Sequence, residues 1–273
     1  MKNIFLATIT FIAFTANCLA QQDFINLAYG KDKQQTLDLF LPKVVSEKIP
    51  VVIMIHGGAW MMGGKEYTDK RAKDLRDRGF VVANIDYRYV SETVHCKELL
   101  EDVDSAVDYV QKEGKKYGYT TKQVHMAGIS AGAHLALLYG YTTKRKVKSI
   151  NAICPPVLFD SSAPFGNMND PLMKNIELLA NAKYTNKHTQ SEEFRDISPA
   201  HHIKDIPTLL IHGDKDHLVP WWHSQFLFSE LQEKKIDSKF LTMKGKDHDA
   251  GLNDPDTEKQ AYDTILGWIN SHN

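Results

Sequence analysis

The sequence predicts an α/β fold, a doubly wound and mostly parallel sheet with helices on both faces. Apolar runs of strand length alternate with stretches of helical periodicity along most of the 273 residues. Most of these runs are continuous and rich in β-branched side chains, which is typical of strands buried on both faces. Hydrophobic residues make up 42% of the chain and charged residues 25%, a composition that supports one large globular domain.

The expected strands begin with a hairpin and continue with buried strands. Residues 36–41 alternate between apolar and polar side chains, as a strand with one exposed face does, and Pro42 ends the run. Continuous apolar runs predict buried strands at 50–55, 80–85, 124–127, 149–153 and 208–211, and a last strand is expected at 238–243. Helical periodicity predicts helices at 97–116, 131–141, 222–234 and 256–269.

Residues 155–206 interrupt this alternation between two core strands. Several prolines punctuate the segment, and residues 172–182 predict one short helix. A connection of this length in a compact domain is usually functional and often a lid. We therefore expect a short lid or cap insert, with decorative packing on the sheet as the alternative.

The first twenty residues have the pattern of a secretory signal peptide. A lysine at position 2 precedes the largely apolar residues 4–14, and small residues follow at positions 18 and 20. The apolar stretch is too short for a good membrane span. We expect a signal peptide at 1–20, a domain at 21–273 without a membrane span, and a secreted or periplasmic location. Lipid attachment at Cys18 is a second hypothesis, which the preceding Asn17 fits poorly.

Cysteine content and charge limit the partners of the expected domain. Secretion permits a disulfide between Cys96 and Cys154, but a large domain does not need one and sequence alone does not pair them. The formal net charge is −1, and the basic cluster at 144–148 is typical of a solvated loop after a helix. We therefore expect no nucleic-acid partner, and the oligomeric state stays open.

A glycine-flanked serine lies between a predicted strand and a predicted helix. Residues 128–132 read Gly-Ile-Ser-Ala-Gly, directly after the strand at 124–127. A serine in such a sharp turn projects its hydroxyl above the sheet edge, and flanking glycines avoid steric clashes. The following helix contributes a positive dipole at its N-terminus. Ser130 is therefore the candidate nucleophile.

A serine hydroxyl needs a base, commonly a histidine that is held by a carboxylate. Where a serine occupies this kind of turn, the acid and then the histidine follow it along the chain. His248 lies in a polar loop after the last predicted strand, at the sheet edge where Ser130 also lies. We expect His134 and His212 to be packed structural residues instead.

The acid is expected in the loop after the strand at 208–211. Asp216 is preferred, whereas Asp214 is expected to shape the turn. Asp247 and Asp249 flank the candidate base and are expected to be solvated. The sequence has no HExxH, paired CxxC or EF-hand pattern, so we expect no catalytic metal and no cofactor.

Acyl transfer also needs hydrogen-bond donors for the developing oxyanion. Residues 56–60 read His-Gly-Gly-Ala-Trp after the strand at 50–55, and small residues there let backbone N–H groups face the site. We expect the oxyanion hole to consist of the N–H groups of Gly58, Ala59 and Ala131. A simple glycine turn is the alternative.

Two tryptophans are candidate substrate-binding residues. Trp60 follows the oxyanion turn, and Trp221 follows the acid loop. Both could stack on a sugar or an aromatic acyl group, and packing in the core or at the rim is an equally good interpretation.

Four motifs in this order resemble the α/β-hydrolase esterases related to hormone-sensitive lipase and the bacterial carbohydrate-esterase-like members near them. The motifs are HGGAW at 56–60, NIDYR at 84–88, GISAGAHLA at 128–136 and IPTLLIHGDKDHLVP at 206–220. The resemblance runs from about residue 24 to the end of the sequence. It implies a triad of Ser130, Asp216 and His248.

The resemblance also suggests a substrate class. The insert is short, unlike a large lipase lid, which disfavours long-chain triglycerides. Ala59 stands where many members have a third glycine, and Ile129 stands where lipase-like members often carry an acid. The relatives imply small carboxylic esters, such as acetyl or feruloyl esters on plant polysaccharide.

The sequence leaves two other functions open. An amidase or peptidase, including a kynurenine-formamidase-like enzyme, also fits the GISAGAHLA motif, although a signal peptide argues against an intracellular formamidase. A catalytically inactive binding protein on the same fold is the third hypothesis. Such proteins usually lose a triad residue, and all three candidates are present here.

Overall fold

The computed structural model describes residues 21–120, 122–160, 170–184 and 191–273. The strands are β1 Gln22–Ala28, β2 Thr36–Leu41, β3 Val51–Ile55, β4 Val81–Ile85, β5 Val124–Ile129, β6 Val147–Ile153, β7 Thr208–Gly213 and β8 Ser238–Met243. The α-helices are α1 Asp69–Asp77, α2 Cys96–Tyr117, α3 Ala131–Thr142, α4 Asp170–Ala180, α5 Glu192–Asp196, α6 Trp222–Glu233 and α7 Pro255–Ser271. Short 3₁₀ helices lie at Lys65–Tyr67 and Pro199–His201.

The strands form one sheet in the order β1-β2-β4-β3-β5-β6-β7-β8. The β1–β2 and β2–β4 pairs are antiparallel, and every pair from β4 to β8 is parallel. Parallel neighbours need crossover connections, which the helices and the insert supply. The predicted mostly parallel, doubly wound sheet is confirmed.

Both faces of the sheet are buried. In β3, Val51, Ile53 and Ile55 belong to the core cluster that includes residues of α2 and α3. Val52 and Met54 belong to a second cluster, which includes residues of α1 and α7. Successive side chains of a strand point to opposite faces of the sheet, so a strand covered on both faces must be apolar at every position, as this one is.

The other predicted strands and helices lie within two residues of their expected bounds, but α1 was not predicted. Its sequence, DKRAKDLRD, presents only two apolar residues, Ala72 and Leu75, to the core. Arg76 is also buried, and its aliphatic stem covers apolar surface while its charge pairs with Asp23. A helix that buries so few apolar residues has too weak a pattern to be recognised by hydrophobic periodicity.

The insert between β6 and β7 is described in part, because residues 161–169 and 185–190 lie outside the described residues. Helix α4 begins and ends two residues before the predicted range, and α5 was not predicted. The two ends of the insert are hydrogen bonded to each other. Phe159 N donates to Ser198 Oγ at 2.8 Å, and Ala200 N donates to Val157 O at 3.0 Å.

The expected signal peptide at 1–20, including Cys18, lies outside the described residues. Among the helices that are described, none combines the length and the apolar character that a membrane crossing requires. Cys96 and Cys154 are both buried free thiols in this structure. Burial raises the pKa of Cys96 to about 12.

Candidate active site

Ser130 occupies a strained turn between β5 and α3. Its φ of 54° and ψ of −121° lie outside the regions that most residues adopt. Its backbone N–H donates to Ile153 O at 2.8 Å, which fixes the turn against β6. A Cβ at Gly128 would lie 2.3 Å from Gly132 O, and one at Gly132 would lie 2.2 Å from Ile55 O. Glycine is therefore required on both sides of the serine.

Three of the predicted side chains form one hydrogen-bonded chain. The Ser130 hydroxyl lies 2.8 Å from His248 Nε2, and His248 Nδ1 lies 2.7 Å from Asp216 Oδ2. A carboxylate accepts only, so the hydrogen of the imidazole lies on Nδ1 and Nε2 accepts from the serine. Asp216 follows β7 and His248 follows β8, and the carboxyl ends of these strands share one edge of the sheet with Ser130.

Asp216 is held by four hydrogen bonds. Oδ1 accepts from the backbone N–H groups of Leu218 at 2.9 Å and Val219 at 2.8 Å. Oδ2 accepts from His248 and from His212 Nε2 at 3.0 Å. Burial alone raises the pKa of Asp216, but the hydrogen bonds from His212 and His248 outweigh burial and hold the pKa well below its ordinary value. The carboxylate is therefore charged at neutral pH.

His212 is fully buried and bonded through both ring nitrogens, as expected for a structural residue. Nε2 also lies 2.9 Å from Val219 O, and two acceptors around Nε2 place the hydrogen there. Nδ1 then accepts from Ser224 Oγ at 2.7 Å. The contact with Asp216 was not predicted, because a spacing of four residues across a loop carries no recognised signal.

Cys154 lies beside this pair. Ligand atoms of Cys154, His212 and Asp216 lie within 4.8 Å of one another in the described residues. Burial raises the pKa of the Cys154 thiol well above its ordinary value, and the Asp216 carboxylate adds to this shift. The three side chains therefore form one buried cluster, in which the thiol is neutral at neutral pH.

The competing acids have other contacts. Asp214 Oδ1 accepts from Gly245 N at 2.6 Å and so joins the acid loop to the base loop, in keeping with a turn-shaping residue. Asp247 is not simply solvated, which corrects the prediction. Its Oδ1 accepts from His248 N at 2.7 Å and lies 2.6 Å from His217 Nδ1. These contacts shape the backbone that carries the candidate base.

The predicted oxyanion turn has an unusual backbone. Gly58, Ala59 and Trp60 have φ values of 120°, 48° and 60°, and a Cβ at Gly58 would lie 1.9 Å from Met62 O. No described residue accepts a hydrogen bond from the N–H groups of Gly58, Ala59 or Ala131. All three border the pocket that contains Ser130, so these groups are available to a ligand oxygen.

The structure does not support a stacking role for the two predicted tryptophans. Trp60 borders the pocket, but it is only 2% exposed, and its Nε1 donates to His134 Nδ1 at 3.1 Å. Its positive φ turns the side chain into the core, where it meets His134 and Phe159 edge-on. Trp221 is not among the residues that line the pocket, because its ring stacks on Phe240 of β8. Packing explains both positions.

The candidate triad opens into a pocket of about 400 Å³. Apolar side chains dominate its wall, including Met62, Ile129, Phe159, Leu172, Ile176 and Leu218. Leu172 and Ile176 belong to α4, so the insert contributes to the pocket wall. Asn175 of the same helix donates from Nδ2 to Ala59 O at 3.3 Å, which joins the insert to the oxyanion turn.

Sequence reasoning missed other pocket residues. Tyr67 of the 3₁₀ helix and Arg71 of the first turn of α1 line the pocket. They lie more than fifty positions from Ser130 in a region without a recognised motif, so no local signal identified them. A larger cleft of about 780 Å³ lies elsewhere, beside α2, and contains none of the candidate triad.

A mostly parallel sheet with a serine on a strand-to-helix turn, linked to a histidine and an aspartate from later strand ends, defines an α/β-hydrolase. The model of the BD-FAE family matches residues 37–231. Because this match covers more than half of the chain, the protein belongs to the BD-FAE family.

Similar proteins include several esterases. The isoprenylcysteine alpha-carbonyl methylesterase ICME of Arabidopsis thaliana is 26% identical over 268 residues, covering 90% of this chain and 62% of that protein. The kynurenine formamidase of Salmo salar is 30% identical over 117 residues, 43% of this chain and 38% of that protein. A truncated carbohydrate esterase from gut microbiota has a TM-score of 0.79 and 21% identity, covering 93% of this chain and 99% of that structure. This chain thus spans under two thirds of the methylesterase.

Proposed function

We propose that this protein is a secreted or periplasmic serine esterase that hydrolyses small carboxylic esters, with Ser130 as nucleophile, His248 as base and Asp216 as the acid of the triad. The observation that carries the proposal is the continuous hydrogen-bonded chain from Asp216 through His248 to Ser130, with contacts of 2.7 and 2.8 Å, at the base of an apolar pocket. Family membership and similarity to esterases support the same reaction class.

In the first half of the reaction, Ser130 Oγ attacks the ester carbonyl carbon while its proton passes to His248 Nε2. Asp216 stabilises the imidazolium through Nδ1. The carbonyl oxygen becomes an oxyanion, which accepts hydrogen bonds from the N–H groups of Gly58, Ala59 and Ala131. His248 then returns the proton to the departing alcohol, which leaves an acyl group on Ser130.

In the second half, His248 Nε2 takes a proton from water, and the oxygen attacks the acyl carbon. The same oxyanion hole holds the second tetrahedral intermediate. Its collapse releases the carboxylic acid and returns the proton to Ser130. Every proton transfer runs through one imidazole, so the geometry of His248 controls both halves.

The proposed substrates have short acyl groups, or acetyl and feruloyl groups on plant polysaccharide. A pocket of about 400 Å³ with an apolar wall suits a small acyl or aryl group. The similarity to a gut carbohydrate esterase supports the fold of such an enzyme, and the signal-peptide pattern at 1–20 supports secretion.

The second candidate function is an amidase, peptidase or kynurenine-formamidase-like hydrolase. The same triad geometry serves amide substrates, and the partial similarity to kynurenine formamidase favours testing this reaction. A catalytically inactive binding protein is disfavoured, because the three side chains are present and hydrogen bonded in the order that catalysis requires.

A labelling experiment combined with a substrate panel tests the proposal. A fluorophosphonate probe should label the wild type and Ser271→Ala, a control at the end of α7, but not Ser130→Ala. The panel contains acetylated xylan, methyl ferulate, N-formylkynurenine and p-nitrophenyl esters of increasing chain length. We expect turnover of the esters, fastest for short acyl chains. Faster turnover of N-formylkynurenine would favour the amidase function, and labelling of Ser130→Ala would remove Ser130 as nucleophile.

A further inference from the structure

Arg71 places a positive charge in the wall of the pocket that contains Ser130 and His248. It lies in the first turn of α1 and is half-buried. Its Nη1 donates to Tyr67 O at 3.0 Å. Its Nε is shielded from solvent and has no hydrogen-bond partner among the described residues. Most of the donors of this guanidinium are therefore unused.

Four other arginines of the described chain are paired with aspartates. The pairs are Arg76 with Asp23 and Asp77, Arg88 with Asp102, Arg145 with Asp104 and Asp108, and Arg195 with Asp160. Within the described ranges, no carboxylate lies within ion-pair distance of Arg71. Among the described residues, Arg78 is the one other arginine without such a pair, and its guanidinium lies over the Tyr262 ring, outside the pocket.

Two other titratable side chains of the pocket wall, Asp249 and His248, already have hydrogen-bond partners. Asp249 Oδ1 accepts from Gly251 N at 2.8 Å, and Oδ2 accepts from Asn253 Nδ2 at 3.0 Å. His248 is bonded to Ser130 and Asp216. The rest of the wall is mainly apolar. The Arg71 guanidinium is half-buried beside this apolar wall and has no ion-pair partner among the described residues, so a carboxylate bound in the pocket would supply one.

We propose that Arg71 binds a carboxylate of the substrate, so that the preferred esters carry a negative charge on either the acyl or the alcohol side. The inference rests on the proposed esterase function and narrows its substrate class. The planar fork of an arginine matches the two oxygens of a carboxylate, and charge-assisted bonds of this kind are stronger than neutral ones. A neutral ester of the same shape lacks that partner.

Matched ester pairs test the inference. On the acyl side, p-nitrophenyl hydrogen glutarate is compared with p-nitrophenyl 4-carbamoylbutanoate. On the alcohol side, 4-carboxyphenyl butyrate is compared with 4-carbamoylphenyl butyrate. In one of the two pairs, the wild type should hydrolyse the carboxylate ester with a kcat/KM roughly tenfold to a hundredfold higher than that of the matched amide, mainly because its KM is lower. The pair that shows the preference identifies the side of the ester that Arg71 contacts.

Substitutions then assign the preference to the side chain. Arg71→Met should bring the carboxylate-to-amide ratio close to one, and Arg71→Lys should keep a smaller preference, because it retains the charge but not the fork. Arg78→Met, a control at the end of the same helix, should keep the wild-type ratio. A ratio near one in both pairs of the wild type, or an unchanged ratio in Arg71→Met, would overturn the inference.

Calorimetric titration separates this inference from the proposed function. Glutarate and 4-hydroxybenzoate, the acid and phenol released from the two probes, are titrated into Ser130→Ala and into Ser130→Ala combined with Arg71→Lys. If one of these anions binds and Arg71→Lys weakens its binding at least several-fold, the result supports carboxylate binding by Arg71. This holds even if no ester is hydrolysed, a result that would contradict the esterase function and leave the role of Arg71 intact. If neutral esters are hydrolysed but neither anion binds, the result would contradict carboxylate binding by Arg71 and leave the esterase function intact. Because lysine keeps the charge, this comparison also decides the matter if Arg71→Met does not fold.

Discussion

Two histidines bind the same oxygen of Asp216, and their surroundings differ. The His212 side chain is 0% exposed, and both of its ring nitrogens are bonded within the protein. The His248 side chain is 22% exposed, and its second nitrogen faces the Ser130 hydroxyl in the pocket. Both residues are histidines that contact the Asp216 carboxylate, and they differ in whether the second ring nitrogen can reach a reacting group.

The two histidines have different roles: His212 orients the Asp216 carboxylate, whereas His248 can react with a substrate. His212 donates to a carboxylate and a carbonyl and accepts from Ser224, so its hydrogen is fixed and it has no atom left for a substrate. His248 uses one nitrogen for Asp216 and keeps the other as an acceptor, which is what a general base needs. Changing Asp216 and its two histidine partners one at a time should separate the two roles.

Removal of the solvent-facing histidine should have the largest effect. His248→Ala should lower kcat on p-nitrophenyl acetate by about five to six orders of magnitude, because no other described side chain is hydrogen bonded to the Ser130 hydroxyl. His217→Ala, which removes the 78% exposed histidine that contacts the same loop, should retain most of the activity. Steady-state kinetics checks both, and a His248→Ala enzyme within a hundredfold of wild type would exclude His248 as the base.

Removal of the Asp216 charge, which both histidines contact, should have the second largest effect on kcat. Asp216→Asn should lower kcat by about four orders of magnitude, because the amide no longer fixes the tautomer or stabilises the imidazolium. Asp214→Asn is the matched control in the same loop, since its carboxylate bonds only to Gly245 among the described residues. Equal losses in the two variants would mean that loop structure, and not the charge on Asp216, sets the rate.

The sheet and the candidate triad were accessible from the sequence for local physical reasons. Strands buried on both faces are continuously apolar, and the turn at Ser130 excludes side chains at Gly128 and Gly132, so both leave a readable pattern. Strand ends of a parallel sheet meet at one edge, which brings the loops of Asp216 and His248 to the serine.

The other pocket residues could not be predicted, because their positions depend on side-chain orientation and on segments that are distant in sequence from Ser130. Trp60 follows the oxyanion turn in sequence, yet a φ of 60° turns its ring into the core. Arg71 and Ile176 reach the pocket from a largely polar helix and from the insert, and neither belongs to a motif. The direction of a side chain after an irregular turn is set by tertiary packing, which no sequence spacing reveals.

Disruption of the buried histidine should have a smaller effect on the rate and a measurable effect on stability. His212→Asn should lower kcat about tenfold to a hundredfold with little change in KM, because Asp216 keeps its contacts with His248, Leu218 and Val219. The free energy of unfolding should fall by about 1–3 kcal/mol, because buried polar groups lose their partners.

The control for this variant is His125→Asn. His125 is also buried and bonded to a serine, with Nδ1 2.9 Å from Ser149 Oγ, but it lies near the start of β5, away from the site. We expect a similar loss of stability in urea unfolding and an unchanged kcat. If both variants lose stability and neither loses kcat, the contact between His212 and Asp216 serves folding alone.

A third histidine, His134, is also fully buried, and its substitution should change stability in a pH-dependent way. Burial lowers the pKa of His134 to about 4, whereas an unfolded chain has a histidine pKa of about 6.5. Between these values the unfolded state binds the additional proton, so this part of the stability is present above about pH 6.5 and is lost as the pH falls toward 4. His134→Asn should therefore destabilise the protein more at pH 7.5 than at pH 4.5, by up to about 3 kcal/mol. Urea unfolding at both pH values measures the difference, and an equal loss at the two values would mean that the ring is not held neutral by its burial.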